Sequence, residues 1–369
     1  MNILYLTTHL NPGGITSYLL TLSRAMKQKG HTVYIAASSG ELLPRFQEAG
    51  ITYIPVPINT KQEISLAVVR TFFILARKVK EYNIDIIHAQ TRVAQVASCL
   101  LEIFCRTPYV STCHGFFKKR LFRMMFPCWG RLCIAISQQV QDHLVNDFKL
   151  SGQSIRLVSN GIDLDRFIRS DEQTCLKTRK ELGLGNALVV GILARLSEVK
   201  GHRYLIEAMK LVSARIVNAR LLIIGEGKIK KDLMDLCDSL AISDKIIFLP
   251  NVLETVRFLS IMDVFVMPSL HEGLGLSLME AMALGLAVIG SDVGGIKSLI
   301  QHNSNGLLVK PADPAELSCA IIALLEDQKR REQLAFRGQS FIRENFSQSK
   351  MAAQTQRVYE ECLNIKNRQ

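Results

Sequence analysis

The sequence predicts an α/β protein built from two doubly wound, Rossmann-like parallel sheets. Short β-branched or apolar runs alternate with helix-period segments along the whole chain, the pattern of a parallel sheet covered by helices on both faces. The series lapses once, at the polar stretch Arg169-Ser170-Asp171-Glu172-Gln173-Thr174, and then begins again. The chain has 369 residues, which at roughly 100–200 residues per domain suits two or three domains.

In chain order, strands are expected at 2–8, 32–37, 52–56, 84–88, 108–113, 132–136 and 155–158. Between them lie helix-period segments, such as Leu19, Leu22 and Met26, which Gly30 stops. After the polar stretch a charged helix ends near Gly183. The second series has strands near 187–194, 220–224, 245–249, 263–267, 286–290 and 306–309. The last segment, about 344–365, reads as an amphipathic helix anchored by Phe346, Met351, Val358, Tyr359 and Leu363. Ligands of such sheets bind at the carboxyl ends of the strands, so two tandem domains are expected to present those edges across a cleft.

Hydrophobic residues make up 48% of the chain and charged residues 21%, which excludes a disordered chain, a collagen and a disulfide miniprotein. No apolar stretch reaches the ~18 residues of a spanning helix, because Arg70 and Glu280 interrupt the longest candidates. The N-terminal Met1-Asn2-Ile3-Leu4 lacks a basic n-region and reads as a strand, not a signal peptide, so a cytoplasmic protein is expected. The nine cysteines contain no C-x-x-C pair and are expected to be structural thiols in a reducing compartment, not a zinc site.

The net charge of +12 is uneven. Residues 1–170 hold 20 basic and 10 acidic side chains, a balance of +10, against 25 and 23 in the remainder. No acidic residue lies between Glu102 and Asp142, while Arg106, Lys118, Lys119, Arg120, Arg123 and Arg131 all do. One half of the protein is therefore expected to face something anionic.

Two constellations carry chemistry. In the first, the strand at 263–267 runs into a loop with Glu272, Gly273 and Gly275, and a helix opens near Leu276. Glycines let the backbone approach a ligand, and free amides at a helix N-terminus suit an anion. Glu280 lies about one turn into that helix, and a carboxylate accepts well from the vicinal hydroxyls of a ribose. In the second, Arg195-Leu196-Ser197-Glu198-Val199-Lys200-Gly201 follows a strand directly. A guanidinium fork and an ammonium point charge five residues apart suit a diphosphate. Gly225-Glu226-Gly227 lacks the x-x-G that a dinucleotide fingerprint needs.

Together these pieces resemble family 4 of the retaining glycosyltransferases, which have the two-domain GT-B fold. The resemblance spans nearly the whole chain: Gly13-Gly14-Ile15, His114-Gly115, Asn160-Gly161-Ile162-Asp163, Arg195 with Lys200-Gly201, Gly225-Glu226-Gly227, and Glu272 with Glu280. It implies an acceptor-binding domain at 1–170, a donor-binding domain at 171–345, and a C-terminal helix at 346–369 that packs back towards the first domain. It further implies that Arg195 and Lys200 hold the diphosphate of a nucleotide-sugar donor, that Glu280 accepts from ribose, and that Glu272 touches the donor sugar. Amides near Gly275, Leu276 and Ser277 face phosphate or sugar oxygens, and the base rests near Leu249–Val252. His114 contacts the transferred sugar, and Gly13 and Gly14 form the loop where donor and acceptor meet. Three positions depart from the family pattern: Ala194 for a glycine, Ser298 for a glutamate, and Pro250-Asn251 for a glycine-containing turn.

The implied reaction moves a sugar to a hydroxyl of a glycan or lipid-linked acceptor, in cell-surface polysaccharide or lipopolysaccharide assembly. With cations and amides to stabilise the leaving group, no metal or other cofactor is expected. Asp163-Leu164-Asp165 belongs to a turn and lacks further convergent ligands. Residues 116–131 mix cations with large apolar side chains and hold the only Trp, which suits a segment lying on an anionic membrane. His9 and His88 end strands and read as packed or capping residues. The competing readings are a nucleotide-sugar 2-epimerase of the same fold and a non-catalytic basic protein that binds lipid or RNA. A nucleic-acid partner is not expected.

Overall fold

A computed structural model describes residues 1–366, in two compact units. The first comprises residues 1–161 together with the C-terminal segment from Gln348, and the second Ile162–Ser347. In the first unit the strands are β1 (Asn2–His9), β2 (Thr32–Ser38), β3 (Thr52–Pro55), β4 (Ile86–Ala89), β5 (Tyr109–Cys113), β6 (Leu132–Ala135) and β7 (Ile155–Leu157). Its helices are α1 (Gly14–Gln28), α2 (Leu43–Glu48), α3 (Leu66–Glu81), α4 (Arg92–Cys105), α5 (Leu121–Met125) and α6 (Gln138–Phe148). The sheet is wholly parallel in the order β3-β2-β1-β4-β5-β6-β7, so the chain reverses its winding between β1 and β4.

The strands are nearly continuous apolar runs because both sheet faces are covered. Ile3, Leu4, Tyr5 and Leu6 are all fully buried. Helix starts follow from local chemistry: the side chains of Ser65, Thr91 and Ser137 accept from backbone amides three residues on and cap α3, α4 and α6. Leu19, Leu22 and Met26 form the buried face of α1, and Gly30 turns the chain with a φ of 85°.

The second unit repeats the scheme. Its strands are β8 (Leu188–Leu193), β9 (Ala219–Ile224), β10 (Ile246–Leu249), β11 (Val264–Met267), β12 (Ala287–Ser291) and β13 (Leu307–Val309). Its helices are α7 (Glu172–Glu181), α8 (His202–Arg215), α9 (Lys230–Ser239), α10 (Thr255–Leu259), α11 (Leu276–Ala283), α12 (Ile296–Leu299), α13 (Pro314–Glu326) and α14 (Gln328–Asn345). The parallel order β10-β9-β8-β11-β12-β13 places the winding reversal between β8 and β11. The core between this sheet and its helices includes Leu205, Met209, Ile223, Val266, Ile289 and Ile321.

One expected element divides. The single helix read over 344–365 is the end of α14 followed by a new helix, α15 (Gln348–Lys366). Phe346, expected as a helical anchor, lies in the break, where its carbonyl accepts from the Ile162 amide at 2.9 Å and Ser347 bridges Ile162. α15 belongs to the first unit: Met351, Val358 and Tyr359 are buried, and Arg156 is paired with Glu361. Residues 367–369 of the expected C-terminal helix lie outside the described residues. Of the cysteines expected to be structural, Cys113, Cys133, Cys237 and Cys362 are buried, whereas Cys319 is exposed and the other four are partly exposed.

The segment 116–131 also differs from its expected form. Trp129 is buried, with its ring against Phe117 and Phe148. Arg123 is buried over the Phe117 ring and pairs with Glu63 at 3.8 Å, and Arg131 pairs with Glu102 at 2.5 Å. These two cations face inward because carboxylates distant in sequence lie there. Lys118, Lys119 and Arg120 remain exposed, beside Leu121, Met124, Met125 and Phe126, of which Leu121 is 78% exposed. Among the described residues no helix is long and apolar enough to cross a membrane.

Candidate active site

The chemistry-bearing loops of the second unit leave the carboxyl ends of β8 and β11, the two strands that flank the winding reversal. Loops diverge at such a point and leave a crevice, the usual ligand position of open α/β sheets. Arg195 follows β8 and is exposed. Lys200 lies at the end of the same loop, and its ammonium is paired with the Glu272 carboxylate, both side chains being largely buried. The Leu270 amide donates to the Val199 carbonyl at 2.8 Å, so backbone as well as charge joins the two loops. Glu272 Oε1 also accepts from the Gly273 amide at 3.2 Å, and the Gly295 amide donates to the Glu272 carbonyl at 2.9 Å.

Gly275 precedes α11 with a φ of 99°, a conformation that a side chain at that position would strain. It leaves the first-turn amides of α11, at Leu276 and Ser277, without intrahelical carbonyl partners. A Cβ on Gly225 or Gly227 would sit within 2.1 Å of the Ala194 and Leu196 carbonyls respectively. The Gly225-Glu226-Gly227 turn is thus what lets the loop after β9 lie against the Arg195 loop.

Glu280 stands one turn into α11. Its carboxyl is desolvated, which pushes its pKa up to about 7, with the Arg166 charge pulling the other way. Val252 is half-buried in the loop after β10. Lys200 and Glu272 are therefore brought into direct contact. Among the described residues no hydrogen bond or ion pair links Arg195 or Glu280 to that pair.

Of the remaining expected residues, Gly13 caps α1 and Gly14 opens it; both are exposed, and the Gly13 carbonyl accepts from Ser17. His114 follows β5. Burial lowers its pKa to about 3, so the imidazole is neutral. Its Nε2 is 2.8 Å from Gln90 Oε1, while Gln90 Nε2 donates to the His88 carbonyl at 3.4 Å. That second bond fixes which way the amide faces, so His114 Nε2 carries the proton and Nδ1 is the free acceptor. The Tyr18 ring meets His114 edge-on, with centroids 4.8 Å apart.

Gln90 and Tyr18 were not legible as site residues from motifs. Gln90's signal is its place immediately beyond β4, next to the winding reversal of the first sheet. His88 is a core residue: it is fully buried, has its pKa lowered to about 3 by burial, and is bonded to Tyr359 Oη at 2.7 Å and Thr112 Oγ1 at 2.6 Å. His9 Nδ1 accepts from the Asn11 amide. Among the described residues no three His, Cys, Asp or Glu side chains converge as metal ligands, Asp163 and Asp165 included.

Comparison with known proteins bears on the family and the fold. Residues 12–166 match the family described as Glycosyltransferase Family 4, and residues 176–341 match Glycosyl transferases group 1. An uncharacterized glycosyltransferase of Methanocaldococcus jannaschii is 27% identical, over 96% of each chain. The phosphatidyl-myo-inositol mannosyltransferase of Mycobacterium tuberculosis is 29% identical, over 95% of this chain and 93% of that one. The structure of Anabaena HepE in complex with UDP and glucose superimposes with a TM-score of 0.88 at 22% identity, covering 98% of this chain and all of the other.

Two parallel sheets of this order, with those matches, define a GT-B glycosyltransferase, an enzyme that transfers a sugar from a nucleotide-sugar donor. The chain belongs to family 4 of the retaining glycosyltransferases, the glycosyl transferases group 1.

Proposed function

We propose that this glycosyltransferase moves a sugar from a nucleoside-diphosphate donor to a hydroxyl of a lipid-linked or glycan acceptor in cell-surface polysaccharide or lipopolysaccharide assembly. The observation that carries the donor reading is the join of the β8 and β11 loops, where Lys200 meets Glu272 beside the open N-terminus of α11. Arg195 and Lys200 hold the diphosphate, the amides of Leu276 and Ser277 face its oxygens, Glu280 accepts from ribose, and Val252 lies beside the base. Glu272 orients the donor sugar, and His114, Gly13 and Gly14 serve the transferred sugar and the acceptor.

As the sugar–phosphate bond breaks, negative charge grows on the diphosphate and positive charge on the sugar. Fixed cations and amides at the diphosphate lower that barrier without a metal. Attack comes from the face the diphosphate leaves, and a leaving phosphate oxygen takes the acceptor hydroxyl's proton, which retains the anomeric configuration.

The acceptor side of the reading is supported by the named lipid substrate of the mycobacterial relative and by the surface of the first unit. There Leu121, Met124, Met125 and Phe126 are exposed beside Lys118, Lys119 and Arg120. An apolar face rimmed by cations suits the anionic cytoplasmic leaflet, Lys118 and Arg120 contributing about 1 kcal/mol each while Lys119 is paired with Asp147 at 2.8 Å. The protein accordingly works as a peripheral enzyme on the cytoplasmic side of a membrane.

The test is nucleoside-diphosphate release from UDP-, GDP- and ADP-sugars, with and without extracted membrane lipid, in EDTA. One donor is expected to turn over faster with lipid present, and Glu272→Gln to abolish most of that rate. Full activity of Glu272→Gln contradicts its role. Flotation with anionic liposomes is expected to weaken in a Lys118, Lys119 and Arg120 charge-removal variant, and unchanged flotation contradicts the membrane assignment.

A further inference from the structure

Gln90 and His114 each stand one residue beyond a strand, β4 and β5 respectively. The two strands run parallel with His88 opposite Val110, and their backbone ladder ends at Ala89 and Ser111. Side chains alternate along a strand, so His88 and Thr112 share one face of the sheet. Past the end of the ladder the Gln90 amide turns away to the Leu6 carbonyl on β1, at 2.9 Å. There β4 and β5 are joined through side chains, by the bond of His88 to Thr112 and by that of Gln90 to His114.

The bond of His88 to Thr112 is one link of a longer chain. Tyr359, on α15, donates its hydroxyl to Tyr5 Oη on β1 at 3.3 Å. With its proton so placed, Tyr359 Oη accepts from His88 Nδ1 at 2.7 Å. The His88 imidazole is neutral through burial, which leaves Nε2 to accept from the Thr112 hydroxyl at 2.6 Å. The His88 ring also meets the rings of Tyr5 and Tyr359, with centroids 5.6 Å away in each case. All four side chains are fully buried. At the site end, the His88 carbonyl accepts from Gln90 Nε2, and Gln90 Oε1 accepts from His114 Nε2. Thr112 stands two residues before His114 on the same chain segment.

We propose that Thr112, His88 and Tyr359 are positioning residues, which set the spacing of Gln90 and His114 and so aim the His114 imidazole at the reacting sugar. The proposal rests on the placing of His114 at the transferred sugar, and it makes α15 a support of the reaction as well as of the fold. No proton moves along the chain; its effect is geometric. A misplacement of about 1 Å at a reacting centre can cost about 10²-fold in rate, so a smaller displacement of His114 is expected to cost about tenfold.

The test compares Thr112→Val, which keeps the side-chain shape and removes the hydroxyl, with Thr112→Ser, which keeps the hydroxyl. Each is assayed as the full chain with extracted membrane lipid and whichever of the UDP-, GDP- or ADP-sugars turns over. The His114 Nε2 proton resonance, identified by its loss in His114→Ala, is recorded alongside. Thr112→Val is expected to lower kcat about tenfold with donor KM unchanged and to shift that resonance, and Thr112→Ser to recover most of both. A Thr112→Val protein that is less stable but keeps the native kcat and the native resonance would overturn the proposal, because the bond would then serve the fold alone. Native kcat in His114→Ala would instead overturn the placing of His114, and the proposal with it. Tyr359→Phe, read in the same two ways, gives the answer if Thr112→Val does not fold.

Discussion

Glu280→Gln is expected to stabilise the protein above neutral pH while weakening its hold on the nucleotide. The desolvated carboxyl of Glu280 has its pKa raised to about 7 from the 4.5 of an unperturbed glutamate. The native state therefore holds that proton more tightly than the unfolded chain does. The associated stability is fully present below pH 4.5 and is lost as the pH rises through 7. At 1.36 kcal/mol per pKa unit, ionising the desolvated carboxyl costs the native state about 3 kcal/mol by pH 8 and less than about 1 kcal/mol at pH 5. A neutral amide of the same shape escapes that cost. At about 2–4 °C per kcal/mol for a domain of this size, the gain in Tm is several degrees at pH 8 and one or two at pH 5. Thermal unfolding of both proteins across that range, with UDP or another nucleotide added in a second series, measures both effects. A variant no more stable at pH 8, or equally stabilised at every pH, would refute the desolvation argument. Unchanged nucleotide binding would refute the ribose role.

Lys200→Ala is expected to lower kcat by 10²–10³, the usual effect of removing one preorganised charge from a transition state, and to cost about 1–3 kcal/mol by leaving Glu272 without its buried partner. Steady-state kinetics and urea unfolding check the two parts, and a double-mutant cycle with Glu272→Gln is expected to show coupling between them. Gln90→Leu removes the acceptor that holds His114 Nε2–H. kcat is expected to fall at least several-fold with little change in donor KM, and the His114 Nε2 proton resonance is expected to shift. Tyr359→Phe strips a hydroxyl from the buried His88, with an expected loss of about 1–3 kcal/mol. Denaturant unfolding with an unchanged midpoint would show that α15 is not anchored through this bond.

Much of the fold was legible because parallel strands covered on both faces are written as unbroken apolar runs. Ile3–Leu6 and Val264–Met267 can be read without knowing their neighbours. The break between α14 and α15 was not legible. Phe346 fits a helical stripe, and only the bond of its carbonyl to Ile162, far away in the chain, takes it out of the helix. The same limit applies to charge. Residues 116–131 read as one basic face, yet Arg123 and Arg131 turn inward to Glu63 and Glu102, whose positions only the folded sheet supplies. In the candidate site, residue types in the loops at strand ends and in the helix that follows singled out Arg195, Lys200, Glu272 and Glu280 as candidates. The pairing of Lys200 with Glu272, the desolvation of Glu280 and the orientation of His114 by Gln90 are properties of packing, which no local pattern records.

The central claim, a nucleoside-diphosphate site at the reversal between β8 and β11, is tested most directly by thermal unfolding with UDP, GDP, ADP and CMP, each in EDTA, for the native sequence and Glu280→Ala. At ~100 times its dissociation constant a nucleotide stabilises the native state by about 2.7 kcal/mol, which moves the Tm by several degrees. One base is expected to give that shift, in EDTA, and to lose it in Glu280→Ala. No shift with any nucleotide, or the same shift in the variant, would contradict the assignment.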